Sequence, residues 1–291
     1  MKDQGGNLPE TRSVSIGDAE VSYLDWGGSG PDLVLLHATG FLPWLWHPLA
    51  RALADRFRVI APYFCGHREA CPFENGLGWG LLTRDFITFC DRLSLSRFFL
   101  TGHSMGGAVS VLAESLRPGL ARAMVLIEPI FLPQALYGVI RKVDEHPLAS
   151  KSIRRKNLWE SPREARAYLK GKPLFAKWDD EVLDLYVQYG MVPAESGGLS
   201  LACSPQKEAA LFLGSTEVDP WPLLPRVACP VLALEGGNSD NHRFVDLEKA
   251  VSLLPHGRLE TVPGAGHLVP MERPRETARR LADFFLSLPG D

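Results

Sequence analysis

The stretch Phe98-Phe99-Leu100-Thr101-Gly102-His103-Ser104-Met105-Gly106-Gly107 carries the strongest chemical signal in the chain. An apolar run leads into Gly-x-Ser-x-Gly, and Val109, Leu112 and Leu116 then follow on a helix. A serine on so tight a strand-to-helix bend has strained backbone angles and an exposed hydroxyl. Glycines flank it because side chains there would strike the neighbouring strand and helix. The free N–H groups at the start of the helix face any negative charge developing beside the serine. Gly-x-Ser-x-Gly also arises by chance as a mere tight turn. Its place between strand and helix, with Gly107 added for close packing, makes Ser104 the candidate nucleophile.

A serine hydroxyl needs a base, and imidazole suits that role near neutral pH. Of the eight histidines, His267 stands out. It follows the strand-like Arg258 to Val262 on the loop Pro263-Gly264-Ala265-Gly266, which can swing a side chain over the edge of a sheet. His103 adjoins the nucleophile, so its side chain points elsewhere, and His37 braces the loop after the third strand. His47, His67, His146, His242 and His256 read as surface or local hydrogen-bonding residues.

The elements that must position these residues are visible in the apolar pattern. Ser13 to Ile16 and Glu20 to Leu24 flank a Gly17-Asp18 turn and read as a hairpin. Leu33 to Leu36, Val59 to Ala61, Phe98 to Leu100, Met124 to Ile127 and Val231 to Leu234 are short apolar runs, as strands covered on both faces should be. Leu82, Phe86, Phe89 and Leu93 share one helical face, as do Ala278, Leu281, Ala282 and Phe285. Strand and helix in alternation imply a mainly parallel sheet with helices on both sides. From Pro129 to Pro222 the alternation stops, and helix-like sequence carries Trp159, Tyr168, Phe175, Trp178, Tyr186 and Tyr189. This reads as a helical insertion over the sheet whose aromatics pack within it, and Pro220 to Pro225 returns the chain to the core.

The bulk numbers suit one large domain with an insertion: 291 residues, 45% hydrophobic, 22% charged and a formal net charge of −3. No basic footprint for nucleic acid is present. Lys151 to Lys156 is a short cluster that reads as a solvated helix face or, alternatively, as a steering patch for an anionic substrate. No window approaches the length of a membrane span, and the N-terminus has no signal-like apolar stretch. The five cysteines match neither a zinc site nor a redox pair, and read as reduced thiols of a cytoplasmic protein.

On Leu36-His37-Ala38-Thr39-Gly40, Gly102 to Gly107 and Gly264-Ala265-Gly266-His267, the chain resembles the α/β-hydrolase superfamily, specifically its cap-bearing esterase-like members. The match runs from Ser13 to Leu288. Arg154-Arg155, Tyr186 to Gly190 and Leu201 to Pro205 resemble the cap of one bacterial and fungal group. The resemblance implies an α/β fold: a mainly parallel eight-stranded sheet, helices on both faces, and a helical cap inserted after the sixth strand. The core would then be 1–128 and 223–291 and the cap 129–222. It also implies His267 as the catalytic histidine and two oxyanion donors, the backbone N–H groups of Met105 and Thr39.

The third catalytic group should be a carboxylate that fixes the histidine tautomer. Relatives usually carry it in Gly-x-x-Asp after the penultimate strand, but here Glu235-Gly236-Gly237-Asn238-Ser239-Asp240 puts Ser239 in that slot. Glu128, at the end of Leu126-Ile127-Glu128-Pro129, occupies a second location known in the superfamily and is preferred; Asp240 is the alternative. Asp240 also reads as a cap for the next helix, and Glu128 as a strut for the insertion. Tyr63 to Arg68 lacks the Asp and Arg usual in that loop, while Asp85 matches a buried helper position.

The expected activity is cleavage of a carboxylic ester through an acyl-serine intermediate, on a small-molecule substrate, with no cofactor and no metal. Thioester and C–C bond (vinylogous diketone) hydrolysis use the same machinery. Serine in place of aspartate at the nucleophile argues against dehalogenase or epoxide hydrolase chemistry. Outside enzymes, the alternative is a catalytically silent ligand-binding member of the fold.

Overall fold

The computed structural model describes residues 8–74 and 76–289. Ten strands are present among them: β1 Glu10–Ser15, β2 Glu20–Asp25, β3 Asp32–Leu36, β4 Arg58–Pro62, β5 Phe98–His103, β6 Ala121–Ile127, β7 Met191–Pro193, β8 Leu199–Leu201, β9 Val231–Gly236 and β10 Gly257–Val262. Eight of them form one sheet in the order β1-β2-β4-β3-β5-β6-β9-β10. β1, β2 and β4 pair antiparallel in turn, and every other pairing in this sheet is parallel. The central strands are buried along almost their whole length, as their unbroken apolar runs require.

Helices α1 His47–Leu53, α2 Trp79–Arg92, α3 Met105–Leu116, α4 Pro147–Arg154, α5 Pro162–Lys170, α6 Pro173–Ala176, α7 Asp180–Tyr189, α8 Pro205–Leu213, α9 Leu247–Ser252, α10 Val269–Glu272 and α11 Pro274–Leu286 complete the fold. Leu82, Phe86 and Phe89 of α2 and Val109 and Leu112 of α3 fill the core on one face of the sheet. Leu49 and Leu53 of α1 and Ala278, Leu281 and Phe285 of α11 fill the other. Leu116, the last residue of α3, is exposed.

The order in which strands are added reverses at β3, whose neighbours β4 and β5 follow it on opposite sides. Ligand sites in open α/β sheets lie beyond the carboxyl ends of the strands at such a point. There Leu36 pairs with Gly102, His103 with Ile127, and Ile127 with Leu234, so the ends of β3, β5, β6 and β9 are level.

Between β6 and β9 lie α4 to α8, and also a two-stranded sheet, β7 with β8, that the helical expectation omitted. Trp159, Phe175, Trp178 and Tyr186 of this segment cluster with Ala38, Phe41 and Leu268 from the loops after β3 and β10. The Phe41 ring lies 5.5 Å from Trp178 and 5.8 Å from Tyr186. Burying such a ring contributes roughly 1.5–3 kcal/mol, against ~1 kcal/mol or less for a half-exposed ion pair such as Arg51 with Glu181. Apolar packing, more than charge, holds the insertion on the core.

A covalent bond also holds it. Cys65, just past β4, is joined to Cys203, just before α8, with Cα atoms 5.8 Å apart. The expectation of five reduced thiols is corrected here: Cys71, Cys90 and Cys229 are free, and the other two are oxidised. The fold brings together two positions 138 residues apart, a pairing that local spacing does not encode. The argument from reduced thiols to a cytoplasmic location loses its premise. Among the described residues no helix is long and apolar enough to cross a membrane.

Candidate active site

Ser104 follows β5 directly, with φ 55° and ψ −114°, and α3 begins at the next residue. Its N–H donates to the Ile127 carbonyl at 2.9 Å, which locks the bend to β6. A Cβ on Gly102 would stand 2.3 Å from the Gly106 carbonyl oxygen, and one on Gly106 would stand 2.3 Å from that of Leu36. The helix and the adjoining strand exclude side chains at both positions, as the motif requires. Ser104 itself is 6% exposed.

His267 Nε2 lies 3.2 Å from Ser104 Oγ, and its Nδ1 lies 3.0 Å from Glu128 Oε2. With Nδ1–H directed to the carboxylate, Nε2 presents its lone pair to the serine hydroxyl. The structure therefore brings Ser104, His267 and Glu128 into one line. Asp240 is elsewhere: its side chain is 87% exposed and pairs with Arg243. The neighbouring Ser239, and not Asp240, caps the short helical turn after β9 by accepting from Asn241 N–H.

Glu128 sits at the end of β6 with φ 47°, and its N–H donates to the Leu234 carbonyl at 2.8 Å. Gly236 N–H donates to Oε1 at 2.6 Å, while the Ser239 hydroxyl and Asn241 Nδ2 reach Oε2 at 2.7 and 3.1 Å. Burial pushes this carboxyl upward. The hydrogen bond and charge of His267, then the Gly236 and Ser239 donors, outweigh burial and hold it below the ordinary range.

Asn241 Nδ2 also lies 2.7 Å from His267 Nδ1, so it touches both members of the pair. The sequence does not distinguish Asn241 or Ser239 for this contact, because polar residues just past a strand read as turn. His103 Nε2 lies 3.0 Å from the His267 carbonyl oxygen and donates to it, anchoring the loop that carries the imidazole. His103 is held well below the ordinary imidazole range by burial and then by its neighbour His267, so it stays neutral.

The loop after β3 supplies Thr39, which is buried. Among the described residues, neither its backbone N–H nor that of Met105 donates to a protein acceptor. His37 braces this loop: its Nδ1 lies 2.8 Å from the Ala38 carbonyl, and Phe64 N–H donates to its Nε2 at 2.9 Å. Arg68 pairs with Asp85 at 2.6 Å, and His67 Nε2 lies 2.9 Å from the same carboxylate, so this loop does have a buried ionic anchor. No group of three or more His, Cys, Asp or Glu side chains among the described residues is arranged to hold a metal ion.

Comparison with known proteins adds an independent observation: the model of the alpha/beta hydrolase family matches residues 33–280. The chain belongs to that family. Relatives of this alpha/beta hydrolase include 2-(acetamidomethylene)succinate hydrolase of Mesorhizobium japonicum, 27% identical over 94% of each chain. N-formylmaleamate deformylase of Pseudomonas putida is 27% identical over 92% of this chain and 91% of its own. A crystal structure of E-2-(acetamidomethylene)succinate hydrolase superposes with a TM-score of 0.80 at 26% identity, covering 95% of this chain and 99% of that one. The protein is a hydrolase of this fold.

Proposed function

We propose that this hydrolase cleaves a carboxylic ester, or a related acyl bond, by nucleophilic catalysis at Ser104. The observation that carries this reading is the unbroken line from Ser104 Oγ through His267 to Glu128, at 3.2 and 3.0 Å. His267 takes the hydroxyl proton as Oγ attacks the carbonyl carbon, and Glu128 stabilises the imidazolium. The oxyanion is received by the N–H groups of Met105 and Thr39. The imidazolium returns the proton to the leaving group, and an acyl-serine remains. Water, deprotonated by His267, attacks that acyl group and releases the acid. In this reading residues 129–222 are a cap that excludes bulk water and shapes the substrate pocket.

A second reading on the same residues is hydrolysis of an acyl–nitrogen bond. It is favoured by the deformylase relative, whose name states removal of a formyl group. Reaction with a fluorophosphonate probe, followed by peptide mass analysis, tests the nucleophile. An adduct on the Ser104 peptide, absent in Ser104→Ala, is expected; folded protein without adduct would favour a silent ligand-binding member of the fold. Rates on 4-nitrophenyl esters, thioesters, a dienol-diketone and N-formyl amides then separate the bond classes.

A further inference from the structure

Between α4, α5, α6 and α8 the insertion forms an open cleft of about 420 Å3, lined by Trp159, Tyr168, Phe175 and Phe212 among others. Four cations, Lys151, Arg155, Lys156 and Lys172, border it against a single carboxylate, Glu208. Lys156 is engaged by Glu164 at 2.6 Å. Among the described residues Lys151 and Lys172 meet no carboxylate, and Lys172 Nζ lies over the Tyr168 ring at 4.4 Å.

Arg155 differs from the lysines in being fixed. Its Nη1 donates to Glu208 Oε2 at 2.8 Å, in an ion pair whose two side chains are both largely buried. A guanidinium has five N–H donors, and the described residues supply this one with no further partner. None of its nitrogens is an orphaned group sealed from solvent, so its remaining N–H groups are accessible, and the residue lines the cleft. A guanidinium oriented by a carboxylate beside an aromatic-lined cleft matches a planar carboxylate attached to an apolar body.

The cavity also adjoins the oxyanion loop. A Cβ on Gly40 would meet Glu208 Oε1 at 2.2 Å, so the Glu208 carboxylate lies directly on the residue after Thr39. One side chain separates the aromatic cleft from the loop that would bind the oxyanion.

We propose that this cavity is a binding site for an apolar carboxylate, with Arg155 on the carboxylate and the aromatic walls on the hydrocarbon. Its use as the pocket for a charged substrate arm rests on the acyl-serine reading above; the binding does not. Titration calorimetry of the wild-type protein with octanoate, and with 1-octanol as neutral control, tests it. Octanoate is expected to bind at least about tenfold tighter than octanol, through one charge-assisted contact worth about 1.4 kcal/mol. Arg155→Gln should abolish that preference. Because it leaves Glu208 unpaired, two variants at exposed positions accompany it: Leu174→Trp, filling the cleft, should weaken octanoate about tenfold, and Lys172→Gln about threefold. Equal affinity for acid and alcohol, or octanoate binding indifferent to Leu174→Trp, overturns the proposal. Ester hydrolysis without octanoate binding sinks the cavity alone, whereas octanoate binding by a chain that never labels at Ser104 sinks the acyl-serine reading alone.

Discussion

The Ser239 hydroxyl donates to Glu128 Oε2 at 2.7 Å, so the segment after β9 grips a carboxylate that arrives from the end of β6. Gly236 N–H and Asn241 Nδ2 join it. The carboxylate cannot turn from His267 without abandoning three other donors, each charge-assisted bond contributing about 1.5–3 kcal/mol. The position usual for the carboxylate in relatives is thus occupied by Ser239, which hydrogen-bonds Glu128.

Exchange of Glu128 and of Asp240 should therefore have opposite outcomes. Glu128→Gln is expected to lower kcat by about three to four decades, as when a triad carboxylate is removed. Asp240→Asn should stay within about twofold, since an exposed ion pair contributes little. Steady-state kinetics on a 4-nitrophenyl ester decides it; a collapse confined to the Asp240 variant would move the role there.

Asn241 should matter through Glu128. Asn241→Ala removes one donor from the carboxylate, and the expected loss in kcat is about ten- to a hundredfold with little change in KM. A rise in KM at constant kcat would instead place Asn241 against the substrate.

Acid should destabilise the fold through His37. Burial, opposed by the Ala38 hydrogen bond, brings its pKa from 6.5 down to about 4. Both ring nitrogens are committed in the neutral form, Nδ1–H to Ala38 and Nε2 to Phe64 N–H. The unfolded chain thus binds a proton below pH 6.5 that the native chain refuses until about 4, so the contribution is complete above pH 6.5 and lost as pH falls toward 4. The loss is on the order of 3 kcal/mol. Urea unfolding at pH 7 and pH 4.5 measures it, and His37→Gln should flatten the dependence.

The Cys65–Cys203 link predicts a thiol count. Denatured, unreduced protein should titrate three thiols and reduced protein five. Closing a loop of this length contributes about 5 kcal/mol in the chain-entropy view, so Cys65→Ser with Cys203→Ser should lower Tm. Five thiols without reductant would show that the bond does not form.

Much of this was legible in the sequence, and the exceptions have physical reasons. The central strands are unbroken apolar runs because helices cover both faces, so their existence could be read directly. Ser104 and His267 were legible because each sits on a glycine-bearing bend that little else explains. Glu128 could be chosen but not separated from Asp240, because the choice depends on which carboxylate points inward across 139 residues to His267. The β7–β8 pair was missed because strands of three residues, one ending in Pro193, are too short for alternation to register. Cys65 with Cys203, and Asn241 with Glu128, are contacts that only tertiary folding makes.

Ser104 and Glu128 leave neighbouring strands at the same level, and both have positive φ, 55° and 47°. Such conformations cost of order 1–3 kcal/mol each and persist only where their surroundings over-determine them. Here those surroundings are the Ile127 and Leu234 carbonyls, which belong to the adjoining strands. A refolding chain in which β5, β6 and β9 have not yet zipped together has nothing to hold either kink. The first turnover during renaturation would thus serve as a clock for the closing of the central sheet.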